Sequence, residues 1–153
     1  MDGGQRLLAG AGASDDTGAA DPALAAALAA YAADPAREPE VLAALSEARL
    51  LVPVVATLGE VETGPDGLAL DKSSDMATVL RRGSDGRLAL LAFTGLESLR
   101  RWDPAARPVP VPARTAALAA MQDGAELLLL DVAGPVAYAA SVSTARVAPR
   151  WRA

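Results

Sequence analysis

The sequence predicts an α/β fold of the α+β kind: a single domain with a mixed β-sheet of about five strands, a central hairpin and helices packed on it. Three observations predict it. Gly86–Pro104 reads as a buried strand, a capped corner and a helix, and it holds two of the five aromatics. An Asp85–Gly86 pair lies between two apolar runs, the strongest short-range signal for a β-hairpin. Glu126–Val132 (ELLLLDV) is nearly continuous in apolar residues, as a strand covered on both faces would be.

Residues 1–20 are mostly Gly, Ala, Asp and Ser with little to bury, so they read as a disordered tail. Asp21–Pro22 supplies an N-cap and a first-turn proline, and Leu24, Leu28 and Tyr31 follow on one helical face until Asp34–Pro35. Pro39 opens a second short helix with Val41, Leu42 and Leu45 as its stripe. Leu50–Thr57 reads as a strand, and Pro53 inside it points to an edge or a bulge. Gly64–Gly67 is a turn signal that a short hairpin of Glu60–Thr63 and Leu68–Asp71 would flank. If Asp85–Gly86 is the two-residue loop of the main hairpin, Leu80 pairs with Leu91 and Val79 with Ala92.

Thr94–Glu97 matches a capping box with Thr94 as N-cap. Leu96, Leu99 and Trp102 then share one helical face. In Pro108–Pro112 the prolines alternate, so every missing donor lies along one side, the pattern of an edge strand paired on one flank. Ala113–Asp123 is helical, with Ala117, Leu118 and Met121 inward and Gly124 closing it. The path from 108 to 132 suggests a parallel crossover. Val136–Val147 reads equally as a strand followed by a loop and as a weak final helix. The domain is expected over residues 21–148, with 149–153 as a C-terminal tail.

Composition limits the chemistry. The 153 residues contain no Cys and no His, and Lys72 is the single lysine beside thirteen arginines. Thiolate nucleophiles, disulfides and the usual zinc sites are excluded, as is the commonest general base. No P-loop or Rossmann spacing is present. The loop acids Glu60, Glu62, Asp66, Asp71 and Asp75 lack the spacing of a calcium loop, and Lys72–Ser73–Ser74 lacks that of a Ser–Lys dyad. The expected catalytic, metal and cofactor sets are therefore each none, and the chain reads as no enzyme.

The net charge of −5 hides an asymmetry. Residues 1–75 carry 13 acids and 4 bases, a net −9, and residues 76–153 carry 6 acids and 10 bases, a net +4. Acidic and basic halves could pair within the fold, between copies or with a partner. The acidic total argues against nucleic acid, and no apolar run is long enough to cross a bilayer. Arg6–Ser14 only faintly resembles a signal peptide, so a cytoplasmic location is expected.

The segments Leu51–Val55, Lys72–Met76, Gly86–Phe93, Leu99–Trp102, Arg107–Val111 and Asp131–Pro135 come in an order that resembles the N-terminal domain of the SseB family, the enhanced-serine-sensitivity proteins. The resemblance spans about residues 21–140. It implies a bacterial, cytoplasmic α/β domain with no assigned activity, and the arginine-rich composition fits a high-GC genome. The expected function is a non-enzymatic protein-interaction or regulatory module whose partner is a protein, the chain itself included. Its candidate surface is Arg100, Arg101, Trp102, Pro108 and Pro110. The alternative is an amino-acid-like small molecule held at a corner formed by Phe93 and Thr94, where a free helix N-terminus would take a carboxylate. Trp102 is expected in the core and Trp151 as the more exposed tryptophan. A carboxylate- or metal-dependent enzyme is the remaining, weaker alternative.

Overall fold

Alternation along the apolar strands decides which layer each side chain joins. The computed structural model describes residues 16–56, 68–72 and 76–142. Its elements in chain order are α1 (Pro22–Ala33), a 3-10 turn (Pro35–Arg37), α2 (Glu38–Ser46), β1 (Arg49–Ala56), β2 (Leu68–Lys72) and β3 (Met76–Arg82). They continue with β4 (Leu88–Ala92), α3 (Leu96–Trp102), β5 (Arg107–Pro112), α4 (Ala113–Gln122), β6 (Leu127–Leu130) and β7 (Tyr138–Ser141). Leu50, Val52, Leu90, Leu128 and Leu130 point into one core with Leu24, Leu28, Val41 and Leu45, which lie under α1 and α2. Leu51, Val79, Leu91 and Phe93 point the other way, into a smaller core with Leu99 of α3.

Each helix follows from its sequence. Asp21 caps α1, its carboxylate accepting from the amides of Ala23 (2.9 Å) and Leu24 (3.2 Å). Pro39 sits in the first turn of α2, whose Val41 and Leu45 are buried. The inner face of α4 differs from expectation. Ala113, Ala116, Ala117, Ala119 and Ala120 are the buried residues, while Leu118 is half-buried and Met121 is exposed. Alanine contributes little area, but its small side chain lets the helix backbone approach the sheet.

Six strands follow the order β5–β1–β3–β4–β6–β7, and β2 pairs with β3 off this path. The α+β class stands, with one strand more along the path than the five expected. β1 and β4 each pair antiparallel with β3, and they also meet each other antiparallel at the Leu51–Phe93 bridge. Three mutually antiparallel strands cannot lie in a plane, so the sheet curls here. The single parallel pairing among the described strands joins β4 to β6, and β7 closes against β6 antiparallel. Tyr138–Ser141 is thus a strand, and Ser143–Val147 lies outside the described residues. The same holds for Glu60–Thr63, while Leu68–Lys72 pairs with β3.

The prolines occupy positions where a missing donor costs little. Leu51 and Phe93 exchange both backbone hydrogen bonds (2.7 and 2.8 Å). Alternate residues 51, 53 and 55 therefore face that edge of β1. The ladder to β3 begins only at Val54–Thr78. Pro53 falls at the handover between the two partners, so it sits in an interior strand rather than at the edge or bulge expected. β5 is an edge strand, as its alternating prolines predict. Val109 and Val111 face β1, opposite Val52 and Leu50, while Pro108, Pro110 and Pro112 face outward. The outer flank of β5 offers no N–H to another strand at those three positions, which blunts edge-to-edge pairing.

The main hairpin differs from expectation by one residue. Leu80 pairs with Leu90 and Arg82 with Leu88. Gly83 donates to Arg87 O (2.8 Å), leaving Ser84–Asp85–Gly86 as a three-residue loop with Gly86 at φ +88°. That loop ends in the left-handed residue that glycine tolerates. Asp85 fixes it by accepting from the Arg87 amide (3.0 Å) and pairing with its guanidinium (2.8 Å). The slip matters because 90 and 91 face opposite layers: Leu90 joins Leu80 in the large core and Leu91 goes to the small one.

Tyr138 ties β7 to α2. It is 5% exposed, meets Tyr31 edge-on at 5.3 Å, and donates to Glu38 Oε2 at 2.5 Å. Burial first, and then the bond to Glu38, raises its phenol pKa far above the ordinary 10.0. The unfolded phenol ionises near pH 10 while the folded one stays protonated, so this contribution is complete below pH 10 and lost as pH rises further. Tyr138→Phe is expected to cost about 1 kcal/mol at neutral pH and to lose less stability than the parent above about pH 10. Urea denaturation on both sides of that pH checks it.

Candidate functional site

β4 and β6 run parallel, so their carboxyl ends reach the same end of the sheet. One residue past β6 stands Asp131, 2% exposed, with a left-handed backbone (φ 51°). Aspartate tolerates that conformation better than most residues. Its amide donates to Ala92 O (3.1 Å), and its carbonyl accepts from Gly134 N (2.8 Å). Its carboxylate accepts from the Thr94 amide (2.8 Å), the Thr94 hydroxyl (2.7 Å) and the Ser98 hydroxyl (2.8 Å). A buried charge is tolerable when donors converge on it in this way.

This arrangement corrects the expected capping box. Thr94 spends its hydroxyl on Asp131, and the N-cap of α3 is Gly95. Ser98, not Glu97, reaches back, with Oγ 3.4 Å from Gly95 N and 3.0 Å from Gly95 O. Glu97 is exposed and makes a loose pair with Arg101 at 3.7 Å. The expected free helix N-terminus is not free either, because the Leu96 amide donates to Gly18 O (2.7 Å). The corner does hold a carboxylate, and it is the chain's own Asp131.

Residues 16–20, read from sequence as part of the tail, cross the start of α3 as a strap. Arg49 pins them: its Nε pairs with Asp16 (2.7 Å), Nη2 donates to Ala19 O, and Nη1 donates to Thr94 O (2.9 Å). The strap lies so close that a Cβ on Gly95 would sit 2.9 Å from Ala20 N. Between strap, α1 and α3 opens a cavity of about 430 Å³. Ala25, Leu28, Ala29, Pro135 and Val136 give it apolar walls; Thr94, Ser98 and Asp131 border it, and Glu97 and Arg101 are its exposed charged lining.

The sequence-predicted residues divide. Phe93 is fully buried and does not line the cavity; it packs on Trp102 at 5.6 Å, and Trp102 is half-buried, on the core side of α3. Thr94 borders the cavity. Arg100 and Arg101 are exposed on α3, and Pro108 and Pro110 lie half-buried on the outer flank of β5. Glu60, Glu62, Asp66, Ser73, Ser74, Asp75 and Trp151 lie outside the described residues, as do the side chains of Asp71 and Lys72. Among the described residues no three acidic side chains gather as a metal site requires, and no helix is long and apolar enough to cross a membrane.

The described ion pairs of known geometry stay within their own half of the chain: Arg37–Glu40 and Arg49–Asp16 in the first, Arg87–Asp85 and Arg101–Glu97 in the second. Sequence reasoning missed Asp131, Ser98, Arg49 and Asp16. The available signal was an aspartate set directly behind four leucines, where a charge has no solvent to face.

The chain matches the family model described as the SseB protein N-terminal domain over residues 24–141. It belongs to that family. No curated protein and no solved structure matches it. The matched span runs from the first buried leucine of α1 to the end of β7, so in this SseB domain it takes in the Asp131 corner and the whole described sheet.

The strap's dependence on Gly95 is directly testable. Gly95→Val is expected to cost about 1–3 kcal/mol by forcing strap and helix apart. The Leu96 amide, which donates to Gly18, should exchange with solvent roughly tenfold faster or more. Hydrogen exchange followed by NMR checks both.

Proposed function

We propose that this SseB N-terminal domain is a non-enzymatic protein-interaction or regulatory module that recognises an acidic protein surface, a second copy of the chain among them. One observation carries the reading: among the described residues, the charge asymmetry of the sequence is not matched by ion pairs between its two halves. No described ion pair joins the acidic half to the basic half. Exposed Arg100 and Arg107 make no ion pair within the described residues. The tight turn over Asp103–Ala106, closed by the bond from Ala106 N to Asp103 O (3.1 Å), brings Arg107 close behind the end of α3.

The geometry accounts for the missing internal pairs. The acids Glu38, Glu40 and Glu47 belong to or follow α2, on the large-core face of the sheet, whereas Arg100 and Arg101 belong to α3 on the small-core face. The sheet stands between α2 and α3, but the acidic face of one copy can meet the basic face of another, a head-to-tail contact. Half-buried Trp102, Pro108 and Pro110 would supply apolar area beside the arginines. The proline flank of β5 favours side-chain contact over strand addition. In this reading the domain works in the cytoplasm without cofactor, membrane or nucleic acid.

Sedimentation velocity at low and high salt tests the proposal. Concentration-dependent association is expected at low salt, weakened by screening and abolished by Arg100→Glu combined with Arg107→Glu. Association that the double reversal leaves untouched would refute it, as would a monomer at every salt concentration.

A further inference from the structure

We infer that the cavity between α1, α3 and the strap is a binding site for a small amphipathic carboxylate, an aliphatic chain with one terminal anion. This inference is independent of the association reading. The cavity's volume of about 430 Å³ falls within the roughly 300–1,000 Å³ of small-molecule sites. Ala25 and Ala29, one turn apart on α1, are exposed and line it. They widen the buried apolar face of that helix, Leu24, Ala27 and Leu28, of which Leu28 also lines the cavity. An apolar surface of this kind, recessed beside polar groups, is where an apolar ligand gains from leaving water.

The polar groups set the ligand's charge and direction. Asp131, Thr94 and Ser98 are already bonded to one another and to backbone, so they offer the ligand little. Among the described residues, Arg101 is the one cation lining the cavity. Its guanidinium reaches the turn before Pro135, with Nη1 3.8 Å from where a Cβ on Gly134 would stand. Its only described ion pair is the 3.7 Å contact with Glu97, whose side chain is 88% exposed. A pair that long and that wet contributes little, so an incoming carboxylate can take the guanidinium in the bidentate fashion arginine favours while Glu97 turns to solvent. The aliphatic chain then lies along Ala25, Ala29, Pro135 and Val136. Arg101 would select the anion, and the two alanines would leave room for the chain.

The test uses the whole chain and octanoate as probe, with octylammonium as the control of opposite charge. Calorimetry should show saturable octanoate binding and none of octylammonium. NMR shifts should concentrate at Ala25, Ala29 and the Arg101 side chain. Arg101→Gln should weaken binding about tenfold or more. Ala29→Trp should abolish it while leaving salt-dependent association intact, and Ala25→Leu does the same service if the tryptophan variant does not fold. Equal binding of the ammonium compound, shifts centred elsewhere, or no octanoate binding would each overturn the inference. Because association is tested at Arg100 and Arg107, the two readings fail separately.

Discussion

The Asp131 carboxylate is the constraint on which the rest of the domain turns. It stands where β6 leaves the sheet and where β4 turns into α3, and it binds the two exits together through Thr94 and Ser98. Its amide and carbonyl are used as well, by Ala92 and Gly134. A carboxylate so deeply buried would be intolerable without those donors. With them, it sets where α3 begins, and so where Leu99 and Trp102 pack beneath Phe93 and where Arg100 and Arg101 emerge. The same corner supplies the carbonyl of Thr94 that helps Arg49 hold the strap.

Around this point the sheet resolves a conflict among three strands. β1, β3 and β4 are mutually antiparallel, so the sheet must curl, and Pro53 lies at the place where β1 exchanges one partner for another. The same residue type has a different consequence at Pro108, Pro110 and Pro112, where it removes donors from an exposed flank. The two layers are unequal in kind. One is a broad aliphatic core closed by α1, α2 and an alanine-faced α4; the other is a small cluster held by a single seven-residue helix. Charge follows that division, with the acidic helix on the first side and the basic helix on the second.

Much of this was legible in the sequence, and the residues show why. Asp21–Pro22, the alternating prolines of β5 and Gly124 act through their own backbone, so local reading located them. Leu127–Leu130 declared a strand by its apolar run, although only Leu128 and Leu130 are buried and Leu127 and Leu129 are half-buried rather than covered as expected. The failures came where a distant residue decided a local choice. Thr94-x-x-Glu97 and Gly95-x-x-Ser98 are overlapping cap patterns, and Asp131, 37 positions away, settles the contest by claiming the Thr94 hydroxyl. The hairpin loop took three residues instead of two because Leu80 and Leu90 share a core layer, a fact of packing rather than of turn sequence. Arg49 and Asp16 carried no motif at all, and the cavity they help enclose exists only once the strap is in place.

The most direct measurement of the central claim is a double-mutant cycle between Asp131 and Thr94. Asp131→Asn keeps the size and the tolerance of a left-handed backbone but turns a donor toward donors, and Thr94→Val removes the hydroxyl without changing shape. Urea denaturation should give a loss of about 2–4 kcal/mol for Asp131→Asn. The two changes together should cost less than the sum of their separate losses, by about 1–3 kcal/mol. Losses that simply add, with Asp131→Asn costing under about 0.5 kcal/mol, would mean that the carboxylate does not hold the corner.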